Sequence, residues 1–146
     1  QDGVIPRSKL PEVLRRIRQL EVESGLTIGN VFHAGDGNLH PLVCYDDAVD
    51  GQAELAEQVA SKILTYCLDV GGSLTGEHGV GADKACHMPK MFSAEDLETM
   101  QLVRVAFDPD QLCNPGKVFP TPRLCGEVPG PYRAHPAEIA GLAERF

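Results

Sequence analysis

His33-Ala-Gly-Asp-Gly-Asn-Leu-His40 places two imidazoles on either side of a glycine-rich turn. A two-residue turn at Asp36-Gly37, the pair such hairpins prefer, would set His33 opposite His40 and Val31 opposite Leu42. Directly opposed Cβ atoms lie about 4.5–5.5 Å apart on one face, close enough for two imidazoles to share a metal ion on apolar ground. Further on, Gly76-Glu77-His78-Gly79-Val80-Gly81 sets an acid beside an imidazole between glycines. In extended backbone, neighbours point to opposite faces, so Glu77 could turn to the metal while His78 faces a substrate. Two histidines and one carboxylate leave coordination positions open, the pattern of a catalytic metal and not of a closed structural one. An ion so held could take the carboxylate and hydroxyl of a small acid, with a neutral His78 accepting the hydroxyl proton. The plain alternatives are two hydrogen-bonded hairpin histidines and a flexible surface loop. Asp36 is accounted for by turn chemistry.

These segments need elements to carry them. Residues 8 to 24 predict a helix with Ser8 as N-cap, Pro11 in the first turn and Gly25 as the stop. Its apolar stripe is Leu10, Val13, Leu14, Ile17 and Leu20. Residues 26 to 45 alternate around the glycine-rich turn and predict a β-hairpin. A second helix is expected from a cap at Asp50 to Val70, burying Leu55, Val59, Ile63 and Cys67. Gly71, Gly72, Gly76, Gly79 and Gly81 then mark a loop that bends sharply or approaches a ligand closely. Ser93 and Asp96 resemble a capping box opening a helix to Phe107, with Leu97, Met100 and Val103 as its apolar side. Asp108-Pro109 ends it. Beyond lies a tail holding most of the chain's 11 prolines, with a short terminal helix over residues 137 to 145.

The chain of 146 residues and 15.8 kDa is the size of one domain, or of a piece of a larger one. Its net charge of -8 is the wrong footprint for nucleic acid or for an anionic membrane. No apolar run reaches the length of a membrane-spanning helix. The five cysteines, Cys44, Cys67, Cys86, Cys113 and Cys125, are odd in number, widely spaced and without a CxxC pair. They read as reduced cytosolic thiols, mostly in the core. The sequence lacks HExxH, a Walker loop, a GxGxxG after a strand, a GxSxG elbow and the deaminase pattern. The start at Gln1-Asp2-Gly3, without a Met, leads to the expectation of a fragment.

HAGDGNLH over 33–40, GEHGVG over 76–81 and NPGK over 114–117 stand in the order seen in the FAD-linked oxidase C-terminal domain family. The likeness runs from Ile5 to about Pro120 and resembles in particular the bacterial glycolate oxidase branch, with D-lactate and D-2-hydroxyglutarate dehydrogenases as near relatives. It implies an α+β fold: a ferredoxin-like-type antiparallel sheet with helices, as a truncated substrate (cap) domain over 1–108. A Pro-rich helical C-terminal segment would fill 109–146. It implies that His33, His40 and Glu77 bind zinc or manganese, and that His78 is the base in oxidation of a 2-hydroxy acid, glycolate or D-lactate. FAD, on an absent N-terminal domain, would be the oxidant. Asn114 and Lys117 would lie toward the flavin, and Arg7 toward an anionic substrate or simply in solvent. Expected partners are a second flavin-type subunit and an iron–sulfur subunit, in the cytoplasm and associated with the inner membrane through them. A fragment that has lost sheet partners is expected to dimerise. From the residues alone, a non-catalytic metal-binding module and a metallohydrolase remain open.

Overall fold

The structure, a computed structural model, describes residues 1–120. The expected terminal helix and Cys125 lie outside the described residues. A three-stranded antiparallel sheet has the order β1-β3-β2, with β1 at Gly3–Val4, β2 at Thr27–His33 and β3 at Asn38–Cys44. Among the described residues four α-helices accompany it: α1 (Leu10–Ser24), α2 (Gln52–Asp69), the single turn α3 (Met88–Met91) and α4 (Ala94–Phe107). The architecture is the α+β one expected from the sequence.

Helix α1 forms where the apolar spacing places it, burying Val13, Ile17 and Leu20. A 3-10 turn at Arg7–Lys9 precedes it, so Lys9 and not Ser8 occupies the N-cap, without a side-chain bond. Gly25 ends the helix at φ 72° and donates to Glu21 O at 3.0 Å. Helix α2 buries Ala56, Val59, Ile63, Leu64 and Cys67, and it starts after Gly51 at φ 80°. Asp50 therefore lies one residue before the cap expected of it. The core gathers the buried faces of both helices onto Ile28 and Leu39 of the sheet. Burial of one such side chain as complete as Ile17 contributes about 1.5–3 kcal/mol.

The hairpin is present, but its turn is longer than expected. Residues 34–37 form the loop, with the N–H groups of Asp36 and Gly37 both donating to His33 O at 3.0 and 2.9 Å. The register pairs His33 with Asn38, Val31 with His40 and Gly29 with Leu42. His33 and His40 are thus diagonal neighbours, not directly opposed. The slip is of two residues, and strand side chains alternate with period two, so both stay on one face. Gly37, at φ 76°, explains the longer loop. Its carbonyl accepts from Ile5 N at 2.9 Å, and a Cβ there would sit 2.1 Å from Ile5 O.

A second apolar cluster of Leu74, Met88 and Leu97 joins α3 and α4 to Val118 and Phe119. Ser93 caps α4 through a complete capping box with Asp96. Val103, expected on the apolar side, is 56% exposed, because only the Leu97–Met100 edge of this helix meets a partner. The thiols also differ from expectation: Cys67 is in the core, Cys86 is half-buried, and Cys44 and Cys113 are exposed. No helix among the described residues is long and apolar enough to cross a membrane.

Candidate metal and acid–base site

The histidine-bearing face of the sheet points away from the helices. Its apolar ground is open: Val31 and Leu42 are 54% and 55% exposed. The loop from Ser73 to Gly79 folds over its near end. Gly76 makes this approach possible, since a Cβ there would stand 2.6 Å from Val4 Cγ2 and 2.9 Å from the Asn38 amide. Positions 76–78 form a bend and not extended backbone. Glu77 and His78 consequently turn the same way, contrary to the opposed directions expected of an extended segment.

The result is one carboxylate oxygen facing three imidazoles. Glu77 Oε1 lies 3.2 Å from His40 Nε2, 3.6 Å from His78 Nε2 and 3.8 Å from His33 Nε2. The His40 ring stacks on His78 with centroids 5.0 Å apart and meets His33 edge-on at 5.2 Å. His40 is mostly covered, whereas His33, Glu77 and His78 each expose more than half of the side chain. Beside His78 opens a cavity of about 920 Å³, lined among others by Leu42, Tyr45, Glu57, Leu64 and Lys84.

The donor chemistry of this cluster fits a cation. His40 Nδ1 lies 3.2 Å from Gln1 O and its Nε2 lies 3.2 Å from Glu77 Oε1, so both ring nitrogens face oxygens that only accept. A neutral ring has one N–H for these two oxygens, so one nitrogen and one oxygen face each other as acceptors and repel. A proton or a metal ion between them removes that repulsion. Ligand atoms on a tetrahedral ion with ~2.1 Å bonds stand about 3.4 Å apart, within the observed spread. The second ring nitrogen held by a backbone carbonyl is the usual support of a metal-binding histidine.

Asp2, which the sequence reading passed over, is fully buried beneath the loop. Asp2, His40, Glu77 and His78 each offer a ligand atom within 4.8 Å of the others. Burial alone would raise the Asp2 carboxyl, but hydrogen bonds from the Thr75 hydroxyl and from the N–H groups of His78, Gly76 and Glu77 hold it well below the usual carboxylate range. Nothing local marks Asp2 in the sequence, because its partners lie more than 70 residues away.

The remaining candidates stand apart from this cluster. Arg7 is exposed in the 3-10 turn, with its Cγ near Gly37. Asn114 and Lys117 lie in a turn whose carbonyls, with that of Cys113, are bound by the Arg104 guanidinium. These bonds hold the turn against α4. It is tied to the glycine loop by Val118 N donating to Gly81 O at 2.7 Å.

The model of FAD linked oxidases, C-terminal domain, matches residues 1–118. The chain is 48% identical over 126 residues to glycolate oxidase subunit GlcD of Escherichia coli (strain K12), covering 86% of the chain and 25% of that protein. It is 35% identical to GlcD of Bacillus subtilis (strain 168), over 82% of the chain and 25% of that protein. It is also 35% identical to a mitochondrial D-lactate dehydrogenase [cytochrome] of Arabidopsis thaliana, over 85% of the chain and 22% of that protein. The chain thus spans about a quarter of the length of the curated relatives it matches. A family match over 118 residues, carrying both histidine motifs, shows that the chain belongs to the C-terminal domain family of FAD-linked oxidases.

Proposed function

We propose that this chain is the substrate- and metal-binding part of an FAD-dependent 2-hydroxy-acid dehydrogenase, with glycolate as substrate and glyoxylate as product. The observation that carries the reading is Glu77 Oε1 within 3.2–3.8 Å of three imidazole nitrogens, one of them on His78, which lines a cavity. His33, His40 and Glu77 would hold a divalent ion, zinc or manganese, which supplies a Lewis acid for the substrate carboxylate and hydroxyl. His78 stands beside them on the open side and takes the hydroxyl proton at Nε2. The stacked His40 ring keeps the His78 imidazole facing the site. Conversion of a 2-hydroxy acid to a 2-oxo acid releases two electrons and two protons. His78 would receive the hydroxyl proton, and FAD held in a longer protein would accept the other proton together with both electrons, as a hydride from the carbon. Arg7 would attract the anionic substrate, and the turn of Asn114 and Lys117 would face the flavin-bearing part. A second flavin-type subunit and an iron–sulfur subunit would pass the electrons on, in the cytoplasm at the inner membrane, and the isolated piece would pair into a dimer.

The test is flavin reduction in the longer protein that carries this segment. Glycolate should bleach the flavin, and His78→Ala should slow bleaching by about 10²–10⁴-fold while FAD stays bound. His33→Ala should remove the metal. Failure of every 2-hydroxy acid to reduce the flavin would overturn the reading. D-lactate is the second reading, favoured by the D-lactate dehydrogenases among the relatives. The ratio of kcat/KM for the two acids decides between them.

A further inference from the structure

We propose that Asp2 is the positioning residue of this site: its carboxylate holds the 75–79 loop in the shape that turns Glu77 and His78 toward His33 and His40. The inference rests on the reading of those four side chains as the working group. Strand β1 places Asp2 where it can act. Val4 and Ser73 exchange backbone hydrogen bonds of 3.1 and 2.8 Å, and Gly76 N donates to Asp2 O at 3.0 Å. The Asp2 side chain thereby lies beneath the loop.

Asp2 Oδ2 then collects five donors. They are the Thr75 hydroxyl, the N–H groups of Gly76 at 3.0 Å, Glu77 at 3.2 Å and His78 at 2.9 Å, and Lys84 Nζ at 3.4 Å. Thr75 Oγ1 accepts in turn from Gly79 N at 2.8 Å, closing the loop on itself. Three successive N–H groups aimed at one point form the kind of backbone concavity that binds anions. Here the chain's own buried carboxylate fills it. Convergence of the N–H groups inward leaves the Glu77 and His78 side chains on the outer side, where His40 meets both.

The same contacts separate Asp2 from the metal ligands. Its Oδ2 is fully engaged, and its Oδ1 stands 4.0 Å from His40 Nδ1, which already has the Gln1 carbonyl at 3.2 Å. Asp2 acts through Glu77 and His78 and does not touch substrate or ion.

The test compares the full chain with Asp2→Asn, Thr75→Val and Thr75→Ser, using Co²⁺ titration followed by its visible absorption. Amide exchange at residues 76–78 and the ring-to-ring NOE between His40 and His78 are measured on the same samples. Asp2→Asn and Thr75→Val should weaken Co²⁺ binding on the order of 10–100-fold, accelerate exchange at 76–78 and lose the NOE. Thr75→Ser, which keeps the hydroxyl, should retain wild-type values. Wild-type NOE and Co²⁺ affinity in Asp2→Asn would overturn the proposal, even if exchange accelerates, because Asp2 would then be merely structural. If Asp2→Asn does not fold, the Thr75 pair decides: Val and Ser behaving alike overturns it. If the wild-type chain takes no Co²⁺, the metal reading falls, and the NOE with the exchange rates still decides the role of Asp2.

Discussion

A methyl group at residue 76 would stand 2.6 Å from Val4 Cγ2. The loop would have to lift from the sheet, and Gly76→Ala should cost about 1–3 kcal/mol through this overpacking. It should also part Glu77 from His40, lowering the urea midpoint and the metal affinity together. An unchanged midpoint would show that the loop yields freely. Cys67 makes a different demand. It is fully buried, and desolvation pushes its thiol from an ordinary value near 9 up to about 11. A raised folded-state pKa gives stability that is complete below the unfolded value and is lost as pH rises through the folded one. Stability should therefore fall between about pH 9 and 11, and Cys67→Ala should lose that part of the alkaline decline. Its thiol should resist labelling under native conditions while exposed Cys44 and Cys113 react. An equal labelling rate at all three would contradict the burial.

Elements governed by neighbours in sequence were legible from the sequence. Gly25 stops α1, and Ser93 with Asp96 caps α4, because both devices act within a few residues. Ser93→Ala should cost about 1 kcal/mol in chemical denaturation, with Thr at the same position restoring most of it. The spacing of His33, His40, Glu77 and His78 singled out four side chains that the fold brings together. It did not give the turn length, since Gly37 is held by Ile5, outside the hairpin. Periodicity likewise names a face of α4 but not the partner it meets, which is why Val103 was misplaced. Asp2 and the two-residue strand β1 stayed invisible for the same reason: each is defined by contacts with distant residues.

Among the described residues, the apolar interior comes as two clusters, one under the sheet and one around Leu74, Met88 and Leu97. The glycine loop runs between them, with Cys67 in the first and Leu74 in the second. Leu97→Ala should accelerate amide exchange in α4 while leaving α1 and α2 close to wild type. An equal loss of protection in α1 would mean that both clusters open as one unit. The site draws on both sides of this division: its histidines stand on the sheet of the first cluster, and the residues after Val80 return into the second.

The bonds from Thr75, Gly76, Glu77 and His78 to Asp2 join residues 73 to 76 positions apart. Loop closure of that length is an entropic debt settled only after α1, the hairpin and α2 have packed. The acid–base cluster should thus assemble at the end of folding, and changes at Asp2 or Thr75 should leave the folding rate alone and quicken unfolding. A bound ion, holding together contacts absent from the folding transition state, would lengthen the native lifetime without hastening its birth.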